Sequence, residues 1–227
     1  AATLIAISMP VAAQTSTANT LREVKIEATA ESYKPEASSS PKFTQPLVDT
    51  PQTITVIKKE VLQDQGATTL TEALRNTPGI TFQMGENGNT STGDAVFMRG
   101  FDTSGSIFVD GIRDVGTVSR DMFNIEQVEV VKGPAGADIG RGSPTGYINL
   151  VSKVPAAENF FAGSVSLGSA SQKRATVDLN RALNETGSVA FRLNAMAQDG
   201  GVPGRDLVEN NRWGIAPSLA IGLGTPT

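Results

Sequence analysis

The sequence predicts an α+β domain followed by an antiparallel sheet of long strands, and three observations carry this. Between Phe43 and Pro155, short β-rich runs are interrupted by two helical stretches with clear start and stop signals. Within it, Ile125–Val131 and Gly146–Val151 flank a loop dense in Gly and Pro. From Phe160 onward, apolar and polar residues alternate with a period of two.

Taken in order, Ala1–Ala13 is apolar, uncharged and ends in small residues. It reads as the tail of a secretory signal peptide with cleavage before Gln14, in a chain expected to start partway through a precursor. Residues 14–42 are rich in Thr, Ser, Ala, Glu and Pro and read as a flexible arm. Inside it Val24, Ile26 and Ala28 alternate with Glu23, Lys25 and Glu27. That is strand periodicity without a partner in its own segment. It suits an edge strand added to another protein's sheet, and also a plain extended peptide.

Residues 43–155 form the expected α+β domain, with strands at Thr53–Ile57, Ile80–Gln83, Ala95–Arg99, Ile107–Asp110, Ile125–Val131 and Tyr147–Val151. A helix at Lys58–Gln65 should stop at Gly66. A second, Leu70–Asn76, follows Thr69, has Glu72 placed for a capping box, and stops before Pro78. Residues 160–227 should supply four strands. Val189, Phe191, Leu193, Ala195 and Ala197 fall on one face, and Arg192 and Asn194 on the other. Val177 and Leu179 alternate with Thr176, Asp178 and Asn180, and Trp213, Ile215, Leu219 and Ile221 with Gly214 and Ser218. Asn184–Gly187 reads as a tight turn, Gln198–Asn211 as a long polar loop, and Pro217 as needing a bulge or an edge. Such strands fit an outer-membrane barrel and equally a half-buried soluble sheet.

Composition narrows the function. A formal charge of −4 argues against a nucleic-acid partner. With no Cys and no His, disulfides, thiolate chemistry, and Ser-His or Cys-His catalysis are out, and a protein-built Zn, Cu or haem site is disfavoured. The Gly-rich loop at 140–146 lacks the Lys-Ser/Thr ending of a phosphate loop. No enzyme is expected. No apolar run is long enough for a membrane-crossing helix, a test that a β-barrel does not fail.

The string Ile125-Glu126-Gln127-Val128-Glu129-Val130, the Lys132-Gly133-Pro134 turn, the Gly140-Arg141-Gly142-Ser143-Pro144 loop and the Gly146-Tyr147-Ile148-Asn149 strand closely resemble the end of the plug domain of TonB-dependent outer-membrane receptors. Asp49–Val56, Leu70–Ile80, Met98-Arg99-Gly100-Phe101 and Val109-Asp110-Gly111 match further plug signatures. The resemblance runs from Leu21 to the end and is greatest to catecholate-type ferric siderophore receptors. It implies an α+β plug domain followed by the first antiparallel strands of a transmembrane β-barrel, truncated, since a plugged transporter needs about 22 strands. It implies an outer-membrane receptor that takes up ferric siderophores and is energised by TonB, or a receptor of the same fold for another cargo such as cobalamin or a glycan. Iron would arrive inside its own chelate, with no protein cofactor.

Residue by residue, the resemblance makes Glu23, Val24, Lys25, Ile26, Glu27 and Ala28 the TonB box. Arg99, Arg113, Arg120 and Phe123 become substrate-binding candidates, because a guanidinium pairs with oxygens and stacks on the flat rings of an anionic catecholate. Glu126, Glu129, Lys132 and Arg141 become contacts between plug and barrel wall. Partners are TonB, the ferric siderophore and outer-membrane lipid. Val165, Leu167, Val177, Leu179, Val189, Phe191, Leu193, Ile215 and Ile221 should face lipid. Ser164, Ser166, Thr176, Asp178, Arg192, Asn194 and Ser218 should face the plug.

Overall fold

The computed structural model describes residues 33–35, 37–83, 93–116, 118–140 and 144–224. The expected signal-peptide remnant, the Glu23–Ala28 strand and Arg141 lie outside the described residues.

The first strand, β1 (Thr53–Lys58), runs directly into helix α1 (Lys59–Asp64), and Gly66 at φ +62° turns the chain. Helix α2 (Leu70–Leu74) opens with the capping box foreseen from Thr69 and Glu72: Thr69 Oγ1 accepts the Glu72 amide, and the Glu72 carboxylate accepts the Thr69 amide. The chain continues through β2 (Ile80–Phe82), β3 (Val96–Met98) and β4 (Phe101–Asp102), which form a small antiparallel sheet. It then builds β5 (Ile107–Val109), β6 (Ile112–Arg113), β7 (Ile125–Lys132), α3 (Gly136–Ile139) and β8 (Gly146–Ser152).

The larger sheet has the order β1-β7-β8-β5-β6, and its one parallel pair is β5 with β8. One face packs Val128, Val130, Ile148 and Leu150 against Leu62, Leu70 and Leu74 of the two helices. The opposite face carries Glu129, Val131, Tyr147 and Asn149, all buried as well. Strand β7 is therefore covered on both sides, although four of its eight residues, Glu126, Gln127, Glu129 and Lys132, are polar. Gly146 starts β8 at φ +125°, where a Cβ would stand 1.9 Å from the Val131 carbonyl oxygen. Only glycine fits there.

Four long strands follow. They are β9 (Phe160–Leu167), β10 (Lys173–Ala182), β11 (Val189–Asp199) and, after a hairpin of β12 (Gly201–Val202) and β13 (Arg205–Glu209), β14 (Arg212–Ile221). The four pair antiparallel in the order β14-β11-β10-β9. The polar loop expected at Gln198–Asn211 is thus a hairpin. Gly200 and Gly204 at positive φ shape it, and its strands are too short to show alternation. β14 is an edge of this sheet, where Pro217 is tolerated.

Register fixes the two faces. Val165, Ala175, Ala197 and Trp213 stand in one row across the sheet, and Val177, Ala195 and Ile215 in another. This face is open: Trp213 is 81% and Ile221 78% exposed. On the other face Asn180, Arg192, Asn194 and Met196 are buried against the α+β unit. The alternation in the sequence holds strand by strand, and the apolar side points away from the α+β unit.

Candidate functional site

The loop after β6 is built around Arg120. Its Nε donates to Asp114 Oδ2 at 2.9 Å, and Nη1 donates to Asp94 Oδ2 and to the Val118 carbonyl, both at 3.1 Å. Nη2 donates to the Gly116 carbonyl at 2.9 Å and lies 2.8 Å from Asp114 Oδ2. All five guanidinium donors are committed, and the side chain is buried. Asp94 is nearly inaccessible, and burial pushes its carboxyl above the ordinary value even against the Arg120 charge. The Gly116 amide, and after it Arg120, hold Asp114 below the ordinary value. The expectation that Arg120 binds cargo is corrected: with no donor left over, it organises the loop from inside. The loop's end is tied to α2 by the Leu70 amide to the Arg120 carbonyl and the Met122 amide to the Thr68 carbonyl.

Arg113 is exposed. Its guanidinium donates to the Gly105 carbonyl at 2.8 Å and lies 5.2 Å above the Phe108 ring. Ile112 and Val115 in the same segment, and Phe101 on β4, are 76%, 76% and 62% exposed. Arg99 is also exposed and occupies the left-handed region at φ +53°, with its amide on the Gly79 carbonyl. Burial, and then the nearby Arg99 charge, lower the Lys132 ammonium.

Phe123, expected beside the arginines, instead packs its ring on β14, where a Cβ on Gly214 would meet it at 2.8 Å. It is a contact to the strand wall. The residue type alone could not separate an aromatic waiting for a ring from one seated on a glycine.

Ion pairs join the α+β unit to the wall at two levels. Asp121 receives Arg174 through both oxygens, at 2.9 and 2.6 Å, and Arg212 at 3.2 Å. Further along, Arg192 makes a two-point pair with Asp178 at 2.8 and 2.7 Å and reaches Glu126 at 3.5 Å. Lys59 also pairs with Glu126, and Lys153 with Asp178 at 3.1 Å. Glu126 thus reaches the strand wall through Arg192. The β7–β8 register shifts between Ile125 and Gln127, and a bulge of this kind re-aims a side chain.

The Glu129 carboxylate takes its hydrogen bonds from Ser38, Ser39, Gln127 and Asn149 and not from the wall strands. Glu129 is fully buried within the α+β unit, on the sheet face away from the helices. Asp121, Arg174, Lys153 and Arg212 were not foreseen. The inward parity that selects Arg192 also selects Arg174 and Arg212.

These contacts orient the unit. Arg174 and Arg212 lie at the end of the wall that carries the 168–172 turn and the β12–β13 hairpin. Asn180, which accepts from the Ala156 amide at 3.0 Å, lies toward the Asn184–Gly187 turn. The loop ending at Arg120 is therefore at the hairpin end.

The family model "TonB-dependent Receptor Plug Domain" matches residues 46–147. Residues 46–147 belong to the TonB-dependent receptor plug family. The catecholate siderophore receptor Fiu of Escherichia coli (strain K12) is 55% identical over 194 residues, covering 85% of this chain and 25% of Fiu. The closed form of the ferric-catecholate import receptor Fiu from E. coli K12 superposes with a TM-score of 0.79 at 54% identity, over 85% of this chain and 27% of that one. The siderophore receptor PiuA from Acinetobacter baumannii gives 0.80 at 42% identity, over 86% and 28%. The chain spans about a quarter of the length of the curated Fiu receptors it matches. The α+β unit is the plug, and β9, β10, β11 and β14 are antiparallel strands of the kind that follow it in these receptors.

Proposed function

We propose that this chain is the plug and first wall strands of an outer-membrane receptor that binds ferric siderophores of the catecholate type and imports them with energy from TonB. The observation that carries this is the 55% identity to a catecholate siderophore receptor, across plug and strands alike. The geometry agrees with it. Arg113 is an exposed cation over the Phe108 ring, in a segment that also exposes Ile112 and Val115, which suits a flat, amphipathic anion. Arg99 adds a second exposed cation. The apolar face bearing Trp213 and Ile221 suits lipid, and the ion-paired face suits a plug held reversibly inside a lumen. In this reading Ala1–Ala13 is a signal-peptide remnant, and Glu23–Ala28 is the strand that TonB takes. Arg141, like Glu126, serves the plug–wall contact, and Lys132 and Arg99 face anionic groups of cargo or wall. No resident metal or cofactor is required, because iron enters as a chelate.

Binding of a panel of ferric chelates, cobalamin and oligosaccharides to the receptor carrying this sequence tests the proposal. Ferric catecholates should bind best. Arg113→Ala should weaken them about tenfold or more, the value of a charge-assisted contact of about 1.5–3 kcal/mol. Preference for cobalamin or a glycan would replace the cargo. Unchanged catecholate affinity in both Arg113→Ala and Arg99→Ala would remove these residues from the site.

A further inference from the structure

Residues 14–42 read as a flexible arm, yet their last stretch is docked. Ser38 Oγ donates to Glu129 Oε1 at 3.2 Å, and the Ser39 amide donates to the same oxygen at 2.5 Å. Ser39 Oγ donates to Oε2 at 2.9 Å. Gln127 and Asn149 complete the carboxylate's shell at 2.8 and 3.2 Å, and Asn149 also reaches Ser39 Oγ at 3.3 Å. Next to it, Ser40 Oγ donates to Asp138 Oδ1 at 3.0 Å, and Lys42 donates to the Asp138 carbonyl. Glu129 has 0% exposure and no cation partner among the described residues.

A buried carboxylate with no counter-charge depends on its hydrogen-bond donors. Three of the five donated bonds come from Ser38 and Ser39. The contact is polar throughout, so each bond broken on departure is replaced by one to water, at a small net cost. An apolar contact of the same extent would have no such exchange. The segment also enters β7 at its middle. Glu126, three residues earlier on the same strand, holds wall residue Arg192, and Asp121 and the Arg120 loop lie just upstream.

We propose that Ser38–Ser40 is a detachable strap, that Glu129 with Asn149 is its dock, and that tension on the arm reaches the Arg120 loop and the wall contacts by stripping this strap from β7. The proposal rests on the transport reading above and names the point at which the pull enters the plug.

Two measurements test it. The first needs no cargo: hydrogen exchange of the peptide spanning 37–43 in the purified receptor. Glu129→Gln keeps the side chain's size but replaces one acceptor oxygen with a donor group. It should speed exchange there about tenfold or more, with Ile107–Val109 unchanged, and Asn149→Ala should act in the same direction. Wild-type exchange in both variants overturns the dock. The second uses the pair Ser39→Cys and Asn149→Cys, in a stretch of 227 residues with no cysteine, any cysteine elsewhere in the receptor being replaced by serine. Bridging them with a short, reducible bis-thiosulfonate should stop uptake, leave chelate binding intact, and be reversed by reductant. Uptake at the wild-type rate with the bridge formed overturns the strap. Failure of any ferric chelate to bind would instead strike the transport reading and leave the exchange result standing.

Discussion

Removing Arg120 separates an internal brace from a cargo contact. In Arg120→Ala, Asp94 stays in a nearly inaccessible position, with 1% of its side chain exposed, and loses its guanidinium partner. Stranding one member of a buried pair costs about 3–5 kcal/mol. If the loop opens locally, that corresponds to roughly 10²- to 10³-fold faster hydrogen exchange, or more, across Asp94–Arg120. The pH dependence has a fixed sign. Burial raises the folded-state pKa of Asp94 above its unfolded value, and Arg120 opposes the rise. Between the two values the folded state holds more protons, so stability falls as pH rises through the window and is flat above it. Without Arg120 the folded value climbs further, so the variant should regain stability as pH is lowered toward that value. Asp94→Asn in the Arg120→Ala background should recover part of the loss at neutral pH. The assay is hydrogen exchange of this peptide at several pH values, with ferric-catecholate affinity measured in parallel. Wild-type exchange combined with weakened affinity would refute the brace and return Arg120 to the cargo.

Two further perturbations follow from the packing. Asp121→Asn removes the charge that holds Arg174 and Arg212, and should loosen the plug at the hairpin end by about 2 kcal/mol, read as faster exchange at 121–124; unchanged exchange would show that this pair of arginines holds nothing. Gly146→Ala places a Cβ against the Val131 carbonyl and should destabilise the β7–β8 pairing by roughly 3 kcal/mol or more, seen as a lowered thermal midpoint of the plug, whereas a wild-type midpoint would contradict the close approach.

Much of the fold was legible because its signals are local. The capping box at Thr69 and Glu72, the stop at Gly66 and the β-rich runs on either side of the Gly-Pro loop depend on neighbours in the chain. The wall was legible from period-two alternation, which assigns Arg192 and Asn194 to one side with no knowledge of the partner. The site was less so. Glu126 and Glu129 sit three residues apart on one strand, yet a bulge turns the first toward the wall, and the second is roofed by serines some 90 positions away. Arg113 and Arg120 look alike in sequence. What separates them is that Asp94, far along the chain, is buried beside one of them. Phe123 was misplaced for the same reason, since its seat is Gly214 on a distant strand.

The most direct test of the central claim is uptake of radio-iron as a ferric catecholate by cells whose only catecholate receptor carries this sequence, compared with the same receptor bearing Ile26→Pro. Proline removes a ladder donor in the segment proposed to pair with TonB. The account predicts receptor-dependent uptake that Ile26→Pro abolishes while surface binding of the chelate stays at the wild-type level. Uptake that is independent of the receptor, or that continues unchanged with Ile26→Pro, would contradict it.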